Sequence, residues 1–286
     1  MSRIEKALER ALELRDAQHG AAREGTAVAE VATSIPKFVT PAAVVDKGLV
    51  ERHLVCITEP YARAAEQYKK LRARVLKATK KDSLSAIMVT SAGIGEGKTI
   101  TAINLAAAMA NAYDHTVLLV DADLRKPSVC GYLGLRPKVG LSDCLAGKAE
   151  VRDAIINTGI GKLAVLPAGN PSEDSAEMLA SDRMKALVQE MKSRYKDRYV
   201  IFDAPPVLAT ADPLSLASFM DGSIIVVQAD KTSEKALAKA VSLLSGYRIF
   251  GVVLNNMPER MAEALYPYYD HYKAQEIREG VGSLQG

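Results

Sequence analysis

From Val89 to Thr99 the chain reads VTSAGIGEGKT, three glycines ending in a lysine and a hydroxyl. Glycines at Gly93, Gly95 and Gly97 let successive backbone N–H groups curl around phosphate oxygens, and a helix starting at Lys98 would point its positive end at the same anion. In such a P-loop Lys98 reaches the β- and γ-phosphates of a nucleotide, and the Thr99 hydroxyl ligates Mg²⁺. Ala92 stands where the usual spacing has its first glycine. The residues read as nucleotide-binding are Ala92, Gly93, Gly95, Glu96, Gly97, Lys98, Thr99 and Ile100. A glycine turn without ligand is the alternative, and an apolar strand before with a helical stretch after disfavours it.

Carboxylates follow at two further places. VLLVDADLRKP puts Asp121 and Asp123 after a strand-like run, and YVIFDAPP does the same for Asp203. In open parallel sheets ligands bind outside the carboxyl ends of the strands, so these acids should converge on the glycine loop. Asp203 fits an acid that holds Mg²⁺, with Thr99 and Asp121 beside it; Asp121 or Asp123 fits the acid that takes a proton from an attacking hydroxyl. The alternative for either is a helix cap or an ion pair with Arg125. Asn255, in VVLNNMP, is the candidate adenine contact, with turn formation as its alternative.

The elements that must position these groups begin at Ser83. Apolar runs alternate with helical stretches, the signature of βαβ units and a mostly parallel central sheet flanked by helices, an α/β fold. Strands are predicted at 85–90, 116–121, 163–167, 199–203, 223–228 and 250–255, and helices at 98–111, 176–194, 213–219 and 233–245. Upstream, HLVCITE (53–59) reads as a strand, and 61–77 as a basic helix starting just past Pro60. Ile4, Leu8, Ala11, Leu12 and Leu14 recur at helical spacing, and 19–47 has no clear period, which together make an N-terminal helical arm and linker. Whether that helix packs on its own domain or docks another protein stays open.

At the other end, ALYPYYDHYKAQE places Tyr266, Tyr268, Tyr269 and Tyr272 in seven residues of a chain with eleven tyrosines. Read alone, the cluster is a surface aromatic patch or a mobile tail of phenol hydroxyls.

A net charge of +3 over 286 residues is too small to argue for nucleic acid, and none is expected as a partner. Cys56, Cys130 and Cys144 have neither even number nor C-x-x-C spacing, which favours reducing cytoplasm over a disulfide framework. There is no run of eighteen apolar residues, so membrane association is expected through a partner.

Together the P-loop, DADLRKP, DAPP, the LPAGNPSEDSAEML segment and the tyrosine tail resemble the bacterial tyrosine kinases (BY-kinases) of polysaccharide-synthesis loci. With the N-terminal MSRIEKALERA, the chain is most similar to the tyrosine autokinases of exosortase and exopolysaccharide loci. The resemblance implies an ATP- and Mg²⁺-dependent protein-tyrosine kinase with an arm (1–52), a kinase domain (53–262) and a flexible C-terminal tail (263–286). Lys98, Asp121, Asp123 and Asp203 would be catalytic, and the tail tyrosines would accept phosphate, commonly from a neighbouring subunit. It also implies a homo-oligomer, in the family a ring joined by a Glu-x-x-Arg-x-x-Arg segment, here Glu66, Lys69 and Arg72. Lys69 keeps the charge there without arginine's planar fork. A membrane protein of the chain-length-determinant type would be the activator, recruiting a cytoplasmic kinase to the inner membrane.

Three other readings share these motifs. A partitioning or division-site positioning ATPase would carry a signature lysine where this chain has Gly93. An iron–sulfur carrier ATPase would need a cysteine pair. A non-catalytic nucleotide-gated scaffold would have no chemical reason to keep Lys98, Thr99, Asp121 and Asp203 together.

Overall fold

The computed structural model describes residues 45–258 apart from 83, 113 and 194–197. The expected N-terminal helix at 4–14, most of the linker and the four tail tyrosines lie outside the described residues.

Two helices, α1 (Val55–Thr58) and α2 (Arg63–Lys80), precede β1 (Ala86–Ser91), α3 (Lys98–Ala110) and β2 (Thr116–Asp121). Short helices α4 (Val129–Tyr132), α5 (Leu141–Leu145) and α6 (Val151–Ala154) lead to β3 (Ile156–Asn157) and β4 (Leu163–Leu166). Then come α7 (Ser175–Ala180), α8 (Asp182–Ser193), β5 (Arg198–Asp203), α9 (Asp212–Ala217), β6 (Gly222–Gln228), α10 (Glu234–Leu243) and β7 (Ile249–Asn255).

The strands form one sheet in the order β3-β4-β2-β5-β1-β6-β7. Every pairing is parallel except β3 with β4. The expected α/β architecture is therefore present. The central strands are buried along almost their whole length and largely apolar, because both faces are covered. One face packs Met88, Leu118, Val200, Phe202 and Ile225 against Leu187 and Val188 of α8; the other packs Ile87, Val89, Leu119 and Ile201 against α3. Five alanines among the thirteen residues of α3 let that helix lie close to the sheet, and eleven of the thirteen are buried.

Two expectations are corrected. HLVCITE is not a strand: Val55–Thr58 is helical, because the buried Asn104 of α3 accepts from the Cys56 amide (2.9 Å) and donates to the His53 carbonyl (2.9 Å). Those backbone groups are spent on a side chain and cannot join a ladder. The helix expected over 176–194 is two helices, since Ser181 is extended (ψ 153°) and its hydroxyl accepts from the Met184 amide at 3.2 Å, capping α8. The basic helix runs three residues further than expected, to Lys80.

One side chain ties the amino end of β1 to α8. Asp221 accepts from the Ser85 and Ala86 amides (2.8 and 2.9 Å) and from the Lys192 ammonium (2.5 Å). Burial works to raise its carboxyl, but the Lys192 ammonium and the two amides outweigh burial and hold it below its ordinary value. Its contribution is therefore complete above the ordinary carboxyl range near pH ~4 and is lost as pH falls through the lower folded value. Asp221→Ala should cost about 2 kcal/mol in denaturant unfolding at pH 7, with a smaller penalty near pH ~3. An equal penalty at both values would contradict the assignment.

Candidate active site

The predicted phosphate-loop and acidic groups fall at the carboxyl edge of the sheet. The loop 91–97 leaves β1 and enters α3, with Gly95 and Gly97 at φ 77° and 88°. Only glycine adopts such angles without strain, and Gly97 has a second reason: a Cβ there would lie 2.0 Å from Nδ2 of Asn255. Ser91 donates its hydroxyl to the Gly93 carbonyl at 2.7 Å, Ala92 is fully buried, and Ile100 sits in the first turn of α3.

Asp121 and Asp203 end adjacent strands and are in register. Lys98 lies between the acids, its Nζ 2.9 Å from Oδ2 of Asp123 and 3.4 Å from Oδ1 of Asp203. Thr99 donates to Oδ2 of Asp203 at 2.7 Å and meets the Ser128 hydroxyl at 3.2 Å. Asp121 accepts from the Ser128 and Val129 amides (3.1 and 3.0 Å), so its carboxylate also starts α4. Asp123 pairs with Lys98 rather than Arg125; the Arg125 guanidinium lies 3.3 Å from the buried Asp212, which also accepts from Ser175 at 2.6 Å.

The electrostatics follow from burial. Asp203 is fully buried and Asp121 nearly so. Desolvation, then the Asp203 charge beside it, pushes Asp121 up to about 7. Asp203 is likewise raised by desolvation against the pull of Lys98. Burial would lower the Lys98 ammonium, but Asp203, Asp123 and Asp121 together hold it above its ordinary value. Three buried carboxylates thus face one ammonium, and a Thr and a Ser hydroxyl join them. Hard oxygen donors with excess negative charge suit a Mg²⁺ ion, with Thr99, Asp121 and Asp203 as the residues that would hold it.

Asn255 also reaches the glycine loop. Its Nδ2 donates to the Glu96 carbonyl at 3.0 Å, so the side chain braces the P-loop main chain. Glu96, in turn, accepts from the Gly93 amide at 2.8 Å and from the Thr232 hydroxyl at 2.5 Å. Thr232 and Ser128 were missed by sequence reading. Thr232 follows the carboxyl end of β6, so the rule that located the acids also pointed to it.

Residues 85–247 match the AAA domain family. Tyrosine-protein kinase YwqD of Bacillus subtilis is 36% identical over 222 residues, which cover 77% of this chain and 92% of YwqD. The chain belongs to the bacterial tyrosine-protein kinases. The kinase domain of Escherichia coli tyrosine kinase ETK superposes with a TM-score of 0.69 at 30% identity, covering 72% of this chain and 81% of ETK's. The Pyrococcus furiosus cell division ATPase MinD is a more distant neighbour of this kinase, with a TM-score of 0.51 at 28% identity over 63% of the chain and 78% of MinD. Membership of this P-loop family implies that the kinase binds a nucleotide.

The residues expected to join subunits lie on α2. Glu66 and Lys69 pair with each other at 3.1 Å, and Arg72 donates to the Ala108 carbonyl of α3 at 2.8 Å. No helix among the described residues of the kinase is long and apolar enough to cross a membrane.

Gly97→Ala should weaken nucleotide binding by at least ~10-fold in a fluorescent-nucleotide titration, since the added methyl both strains the backbone and displaces Asn255. Parental affinity would show that this loop geometry is not needed.

Proposed function

We propose that this kinase transfers the γ-phosphoryl group of ATP, with Mg²⁺, to Tyr266, Tyr268, Tyr269 and Tyr272 of a neighbouring copy of itself, and so regulates exopolysaccharide synthesis or export. The observation that carries the reading is the meeting of Lys98, Thr99, Asp123 and Asp203 within hydrogen-bond or ion-pair distance beside a glycine loop.

The loop amides and Lys98 hold the phosphates. Thr99, Asp121 and Asp203 would hold Mg²⁺, which would neutralise charge developing on the phosphoryl oxygens. Asp121 or Asp123 accepts the phenol proton as the tyrosine oxygen bonds to the γ-phosphorus and the bond to the ADP oxygen breaks. Each phosphate adds about 1.5 to 2 negative charges, so a multiply phosphorylated tail would be repelled from a site lined with acids, a release switch.

In this reading 53–262 is the kinase domain, 1–52 an arm and 263–286 the substrate tail. Glu66, Lys69 and Arg72 contribute to a homo-oligomer, and a membrane protein of the chain-length-determinant type recruits the kinase to the inner membrane and activates it.

Incubating the purified chain with labelled ATP and mapping phosphate by mass spectrometry tests the proposal. Label should fall on the tail tyrosines, vanish in Lys98→Met, and drop to a small residue when all four tyrosines become Phe while ATP affinity is kept. Phosphate confined to serine, or undiminished labelling in Lys98→Met, would overturn it.

A further inference from the structure

The P-loop is fastened by a turn outside its motif. Thr232 donates to Oε1 of Glu96 and accepts from the Gln228 amide at 2.9 Å, while the Ala229 amide donates to the Asn255 carbonyl at 2.9 Å. Glu96 is buried, so both oxygens of its carboxylate are committed: one to this turn, the other to the Gly93 amide. The turn that ends β6 is thereby held at a set height against the glycine loop.

Within that turn Asp230 adopts φ 58°, a left-handed angle uncommon outside glycine. That geometry sends the next side chain, Lys231, back over the loop: a Cβ on Gly95 would lie 3.7 Å from the Lys231 Nζ. Lys231 is exposed, and no described carboxylate forms an ion pair with it. Lys98, by contrast, already faces Asp123 and Asp203. Gly93 holds the place where a second P-loop lysine would be expected in positioning ATPases.

We propose that Lys231 is a second phosphate-binding cation of the nucleotide site, delivered by the Gln228–Thr232 turn and set in place by the Thr232–Glu96 hydrogen bond. The inference rests on the reading of the glycine loop as the ATP site. An ammonium against the loop's main chain faces the same volume as the amides, and the polyphosphate brings charge that the acid-rich floor repels. Lys231 offsets that repulsion from the solvent side, as Lys98 does from within.

Calorimetric titration of the full chain with the magnesium complex of a non-hydrolysable ATP analogue tests this without relying on turnover. Lys231→Ala should raise Kd by about 10-fold, the loss expected for one charge-assisted contact, with thermal midpoint unchanged. Lys231→Arg should stay within about 3-fold of the parent, because the charge is kept. Thr232→Val should weaken binding in the same direction by loosening the turn. An alanine variant that binds as the parent does, or an arginine variant as weak as the alanine one, would overturn the inference. Lys98→Ala serves as reference: lost binding there with parental binding in Lys231→Ala sinks only the role of Lys231, whereas parental binding in both sinks the nucleotide site itself.

Discussion

Two carboxylates, Asp121 and Asp203, end neighbouring parallel strands side by side, buried, with the Lys98 ammonium beside Asp203 and Asp123. Isolated charges in such a place would cost several kcal/mol each, so the arrangement persists only because hydrogen bonds and opposite charge meet them. Thr99, the amides of Ser128 and Val129, and Lys98 supply that compensation. The acids remain in excess, which makes the place receptive to a divalent cation. The sheet, with its apolar strands covered on both faces, is what holds like charges this close.

The glycine loop answers the acids from above, and its shape is set from outside. Its main chain turns through left-handed angles at Gly95 and Gly97, an arrangement that would be loose without neighbours. Asn255 from the end of β7 and Thr232 after β6 both bond to Glu96, whose carboxylate also accepts from the Gly93 amide. Three strand ends thus converge on a single peptide segment, and its amides are pre-oriented before any ligand arrives.

Much of this was legible in the sequence because the signals are local. Glycine spacing names the loop, strand-length apolar runs name β1, β2 and β5, and an acid ending such a run lands at the carboxyl edge. What was not legible depends on long-range partners. HLVCITE has the composition of a strand, yet Asn104, some fifty residues on, claims its backbone. Ser181 breaks a continuous helical pattern with a cap that no periodicity records. The brace role of Asn255 and the contribution of Thr232 need the sheet order, in which β6 lies next to β1 and β7 next to β6. The two-residue β3 is too short to show any period.

The central claim is that this cluster of acids and the glycine loop bind one nucleotide and one metal ion together. A crystal structure of the chain with Mg²⁺ and a non-hydrolysable ATP analogue tests it most directly. The account predicts the β- and γ-phosphates within the curve of 91–97, the Lys98 ammonium turned from Asp123 onto them, and the ion beside Thr99 and Asp203. A triphosphate bound elsewhere, or Lys98 still held by Asp123 and Asp203 with no metal between the phosphates and those acids, would contradict it.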